Sequence, residues 1–131
     1  MYKRLFLLAA LLGTASAHTQ ITHVTPAQGS RVSAPQNVTL EFSEPINLRF
    51  STFKVYPLPS GVNAEAWAQT KLNLKNDAAD RADTYPGASS MAAHLSLPLR
   101  PHLKAGTYIV MWRILSDDGH PVSGQATFDV K

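Results

Sequence analysis

Beyond residue 17, no apolar pattern of 3.6-residue period persists over 12 residues, and short runs of alternation stopped by turn residues recur instead. That pattern excludes a helical bundle and points to a small all-β sandwich or barrel. Ile21 and Val24 belong to a first short strand closed by Pro26-Ala27-Gln28-Gly29-Ser30. Val38, Leu40 and Phe42 share one face of the next, and Phe53-Lys54-Val55-Tyr56 repeats the alternation before Pro57 and Pro59 stop it. Lys71-Leu72-Asn73-Leu74 reads as a short half-buried strand, and His94-Leu95-Ser96-Leu97 as another ended by Pro98. The strongest signal is Thr107 to Leu115, rich in aromatic and β-branched residues, with Gly106 as the turn before it. The final strand is Gln125 to Val130, where Ala126, Phe128 and Val130 share a face. About seven strands fit an immunoglobulin-like Greek-key β-sandwich. The chain has no cysteine, so apolar burial and not a disulfide must hold it together.

Residues 1–17 stand apart from this pattern. Lys3 and Arg4 precede the eight-residue apolar run Leu5–Leu12, and Ala15-Ser16-Ala17 ends the segment with the small-x-small spacing that signal peptidase reads. The run is too short for the roughly 20 residues that cross a bilayer. A cleaved export signal over 1–17 and a single domain over 18–131 follow as expectations. Removing 17 of 131 residues leaves 114, and taking Lys3 and Arg4 from 12 basic residues against nine acidic ones leaves a formal charge of +1. That charge gives no electrostatic case for nucleic acid.

Residues 76–92 are small and polar, and 76–90 reads as a long, mobile surface loop in which Ala78 to Ala82 could form one helical turn. The block Ser116-Asp117-Asp118-Gly119-His120-Pro121-Val122-Ser123-Gly124 carries more than turn chemistry. Gly119 suits a positive φ, and Pro121 confines His120 to extended geometry, fixing where its imidazole points. Asp118 and His120 can then present a carboxylate oxygen and a ring nitrogen to one divalent ion. Cleavage after Ala17 would add two nitrogens, the α-amine and imidazole of His18. Three nitrogens and one oxygen in tetragonal array suit Cu(II), which heads the divalent affinity order.

Taken with His18, the segments Thr25-Pro26-Ala27-Gln28-Gly29, Phe42-Ser43-Glu44-Pro45, Gly106–Arg113 and Ser116–Gly124 give a chain that resembles the CopC family of periplasmic copper-binding proteins, linked to bacterial copper resistance and uptake. The resemblance covers nearly the whole segment after residue 17. It implies an immunoglobulin-like sandwich, with Cu(II) held by the amine and ring of His18, by Asp118 and by His120. It also implies that Glu44 lies near the copper and orients the His18 amine. Family members often work beside a CopD-type membrane copper transporter. Some add a Cu(I) site on a methionine-rich loop, but here only Met91 and Met111 follow the signal, so no such site is expected. The stretch from Asn76 to Ser90 looks like an insertion against that family.

The remaining candidates have ordinary readings. His23 is a secondary metal candidate by its nearness to His18, while His94 and His102 read as solvent-facing. Trp67, Trp112 and Phe42 read as core, and Ser123 lacks a base partner for a hydrolase triad. Three functions compete: a non-enzymatic Cu(II) carrier, a copper monooxygenase using a histidine brace, and a metal-free interaction module. The carboxylate donor and the short chain favour the carrier.

Overall fold

The alternating runs pair into two sheets, seen in a computed structural model that describes residues 19–116 and 118–131. Strands β1 (Ile21–Thr25), β3 (Asn37–Asn47) and β5 (Met91–Pro98) form a three-stranded antiparallel sheet in the order β1-β3-β5. The second sheet has the order β2-β7-β6-β4, from β2 (Arg31–Val32), β4 (Thr52–Pro57), β6 (Gly106–Leu115) and β7 (Pro121–Val130). Only β2, against β7, runs parallel. The result is the expected all-β sandwich.

Period-two alternation delivers the core. Val38, Leu40 and Phe42 of β3, with Leu95 and Leu97 of β5, face Phe53, Val55, Val110, Trp112, Ile114 and Phe128 of the other sheet, all buried. The Phe42 and Phe53 rings meet across the sheets at 5.7 Å, and Tyr108 stacks on its cross-strand partner Phe128 at 5.8 Å. Opposite Trp112, β7 has Gly124, where a Cβ atom would lie 2.7 Å from the indole. The glycine makes room for the ring.

Seven strands are present among the described residues, but not the seven read from the sequence. Lys71-Leu72-Asn73-Leu74 is not a strand; Lys71 and Leu72 end helix α1 (Ala64–Leu72). Four alternating residues were outweighed by a helical stretch with Ala68 and Leu72 buried one turn apart, started by Asn63, whose side chain accepts from the Ala66 amide. The seventh strand is instead β2, two residues long and without a periodic signature. Helix α1 covers the outer face of the four-stranded sheet, packing Ala68 and Leu72 on Tyr56, Ile109 and Met111. Trp67 is half-buried against this cluster, with the Lys71 ammonium 4.2 Å from its ring centre.

The expectation of a mobile 76–90 loop also needs correction. Asp77 and Asp83 are buried, and the segment makes one 3-10 turn, Ala78–Asp80. Asp77 accepts from the Lys54 ammonium at 2.7 Å and from the Tyr56 hydroxyl. Asp83 accepts from the Val55 amide, Ala82 donates its amide to the Val55 carbonyl, and Arg81 reaches the Phe53 carbonyl. Farther along, Thr84 donates to the Pro98 carbonyl on β5. The segment therefore occupies hydrogen-bonding groups of edge strand β4 and ties that edge to β5, a device that blocks strand addition from outside.

Candidate metal centre

The β6–β7 turn spans residues 116–120, since Pro121 to Gly124 already lie in β7. Ser116 accepts from the Gly119 amide at 2.9 Å, and the Ser116 amide donates to the His120 carbonyl at 2.9 Å, closing the turn on itself. Gly119 takes φ +82°, a conformation that L side chains rarely adopt. Within this frame Asp118 uses both oxygens on His120. Oδ1 accepts from the His120 amide at 3.0 Å, and Oδ2 lies 3.2 Å from the imidazole Nδ1. Two donors each about 2.0–2.1 Å from a metal sit about 2.9–3.4 Å apart at angles between square and tetrahedral. The Asp118–His120 spacing falls in that interval. The imidazole is 77% exposed, so its edge is open to an incoming ion.

The beginning of the described chain lies against this turn. Thr19 is buried, its amide donates to Ser116 Oγ at 3.4 Å, and its hydroxyl donates to Glu44 Oε1. Gln20 continues the contact, donating to Ser43 Oγ at 2.9 Å and accepting from the Ser43 amide at 2.8 Å. Glu44, singled out as a family acidic position, is thus bonded to the residue that follows position 18. His18 itself and Asp117 lie outside the described residues. Among the described residues no group of three or more His, Asp or Glu is gathered round one point.

His23 is not part of this arrangement, because its Nδ1 lies 3.1 Å from Glu41 on the sheet surface. His94 and His102 are exposed, as expected. Met111 is fully buried and Met91 is 61% exposed at the start of β5, so the two thioethers do not form a pair. Sequence reasoning missed Thr19 and Ser116. Ser116 stood inside the quoted turn block, whereas nothing local distinguishes Thr19 from any exposed threonine.

The CopC domain family matches residues 21–131. Protein YobA of Escherichia coli K12 is 37% identical over 116 residues, covering 88% of this chain and 80% of its own. Copper resistance protein C of Pseudomonas syringae pv. tomato is 34% identical over 119 residues, covering 89% and 83%. The crystal structure of PcoC, a methionine-rich copper resistance protein from Escherichia coli, superposes with a TM-score of 0.61 at 30% identity, covering 88% of this chain and all of that one. The family is one of copper-binding carriers and not of enzymes, which sets aside the monooxygenase reading. The chain belongs to the CopC family.

Proposed function

We propose that this protein, freed of residues 1–17 on export to the periplasm, carries Cu(II) as a soluble copper buffer in copper resistance or homeostasis. The domain then comprises residues 18–131. The ligands are the α-amine and imidazole of His18, the Asp118 carboxylate and the His120 imidazole, with Glu44 orienting the amine. The single observation that supports this most is the Asp118–His120 pair, 3.2 Å apart on a turn whose Ser116 also accepts from Thr19. Residue 19, next to the proposed ligand His18, is thereby a neighbour of the turn, which supports a shared ion.

The donor set fits the cargo. Nitrogen and carboxylate donors suit Cu(II), while the soft donors that select Cu(I) are few: the chain has no cysteine, Met111 is buried, and the exposed Met91 has no second thioether beside it among the described residues. Full occupation of the equatorial positions favours holding an ion over turnover. Binding displaces the proton of an amine whose ordinary pKa is about 7.7–8.0, so affinity falls in acid. Delivery to a CopD-type membrane transporter is the partner step that the family resemblance implies.

The test compares protein beginning at His18 with protein carrying one extra residue before it, each titrated with Cu(II). Loss of tight binding in the extended form is expected. Equal affinity would remove the amine from the ligand set and overturn the reading.

A further inference from the structure

A second carboxylate–imidazole pair, with nearly the same spacing as the first, lies on the outer face of the three-stranded sheet. In the register, His23 of β1 stands opposite Glu41 of β3, and Glu41 opposite His94 of β5. The inward neighbours of this row are Val24, Leu40 and Leu95, so all three polar side chains point outward, and all three are exposed. Helix α1 covers the other sheet and leaves this face open. His23 Nδ1 and Glu41 Oε2 are 3.1 Å apart, against 3.2 Å for His120 and Asp118. Both separations match two adjacent ligands of one ion, about 2.9–3.4 Å for donors at about 2.0–2.1 Å.

We propose that His23 and Glu41 form a second, weaker Cu(II) site, completed by water, with His94 as its positioning residue. Two protein ligands and open exposure make the site weak and fast-exchanging. Among the described residues His94 is not gathered with His23 and Glu41 round one point, so it is not counted as a ligand. It stands beside Glu41 in the register, from where its exposed ring would donate an N–H to the second carboxylate oxygen. That contact would hold the carboxylate toward His23, as partners of metal-bound carboxylates do. Position 23 lies four residues beyond Thr19 on an extended strand, about 13 Å along at 3.3 Å per residue. The site therefore gives copper a foothold on the same molecule, independent of whether His18, Asp118 and His120 act as proposed.

The experiment uses the His18→Ala/His120→Ala variant, titrated with Cu(II) alone while histidine ring signals are followed by NMR. His102 is exposed and serves as the internal control. Saturable broadening of His23 ahead of His102 is expected, lost with His23→Ala or Glu41→Gln and weakened about tenfold with His94→Ala. Thermal unfolding should be unchanged in these surface variants, so loss of binding would not reflect loss of fold. Equal, unsaturated broadening of His23, His94 and His102 would reduce the row to an ordinary surface ion pair and overturn the proposal. So would indifference of the broadening to Glu41→Gln.

Discussion

The backbone N–H of Thr19 donates to the side-chain oxygen of Ser116, joining residues 97 positions apart. This bond, with that from Thr19 to Glu44, sets residue 19 beside the turn that carries Asp118 and His120. Copper affinity should therefore depend on residues with no atom on the metal. Ser116→Ala and Thr19→Val are each expected to weaken Cu(II) binding about tenfold, the low end of what loss of supporting contacts costs a metal site. The fold should persist, because neither change opens the main apolar core. Competition titration against a copper chelator, paired with thermal unfolding, reads both quantities. Unchanged affinity in both variants would show that position 18 needs no such anchoring.

Asp118 and His120 should not be equivalent. Asp118 also accepts from the His120 amide, so its loss disturbs both the turn and a proposed ligand. Asp118→Asn keeps the backbone contact and removes the charge, whereas Asp118→Ala removes both. The expected order of Cu(II) affinity is parent, then Asp118→Asn, then Asp118→Ala, with His120→Ala losing an imidazole outright. Titrations at one fixed pH check the order. Equal behaviour of the Asn and Ala forms would mean that the amide contact contributes nothing.

How far the structure was legible depended on the range of the interaction. Strands β3 and β6 alternate long enough that their inward faces could be named from sequence. Residues 71–74 misled because an alternation of four residues is also what the end of a helix with a narrow buried stripe shows, here Ala68 and Leu72. Strand β2 exists because Arg31 and Val32 lie beside Asp129 and Val130, a pairing no local pattern encodes. The 76–90 segment read as mobile because its residues are small and polar, while its order comes from Lys54 and Val55, more than twenty positions away. The same holds at the candidate centre. Asp118 and His120 are two residues apart and visible together, but Thr19, Glu44 and Ser116 meet only through the fold.

The space opposite Trp112 gives a stability test. A methyl group at position 124 would sit 2.7–2.8 Å from three indole atoms, a distance real Cβ contacts do not show. The ring is large, rigid and nearly buried, so it cannot step aside without disturbing the core cluster it belongs to. Gly124→Ala should destabilise the protein by about 1–3 kcal/mol, the usual range for overpacking. Denaturant unfolding followed by tryptophan fluorescence measures this directly. A neutral result would mean that the indole has an alternative position.

The buried pair Lys54–Asp77 predicts how the 76–90 segment responds to acid. The Lys54 ammonium donates to the carbonyls of Lys71 and Leu74 at 2.8 and 2.9 Å as well as to Asp77, so it links helix α1, strand β4 and the 76–90 segment. Burial alone would raise the Asp77 carboxyl, but bonds from Lys54 and Tyr56 and the ammonium charge hold it below the usual range. A folded-state pKa below the unfolded value of about 3.9 means that Asp77 stabilises fully above that value. The contribution is lost as pH falls through the folded pKa. Asp77→Ala leaves the buried ammonium without its counter-charge and should cost about 3–5 kcal/mol at neutral pH. The gap between parent and variant should narrow once the pH drops below about 4. Adding Lys54→Met should recover part of the loss, since an apolar side chain there carries no uncompensated charge. Urea unfolding of the parent, single and double variants at neutral and acidic pH decides the matter. A gap that stays constant with pH would show that the ionised form of Asp77 is not what holds the 76–90 segment down.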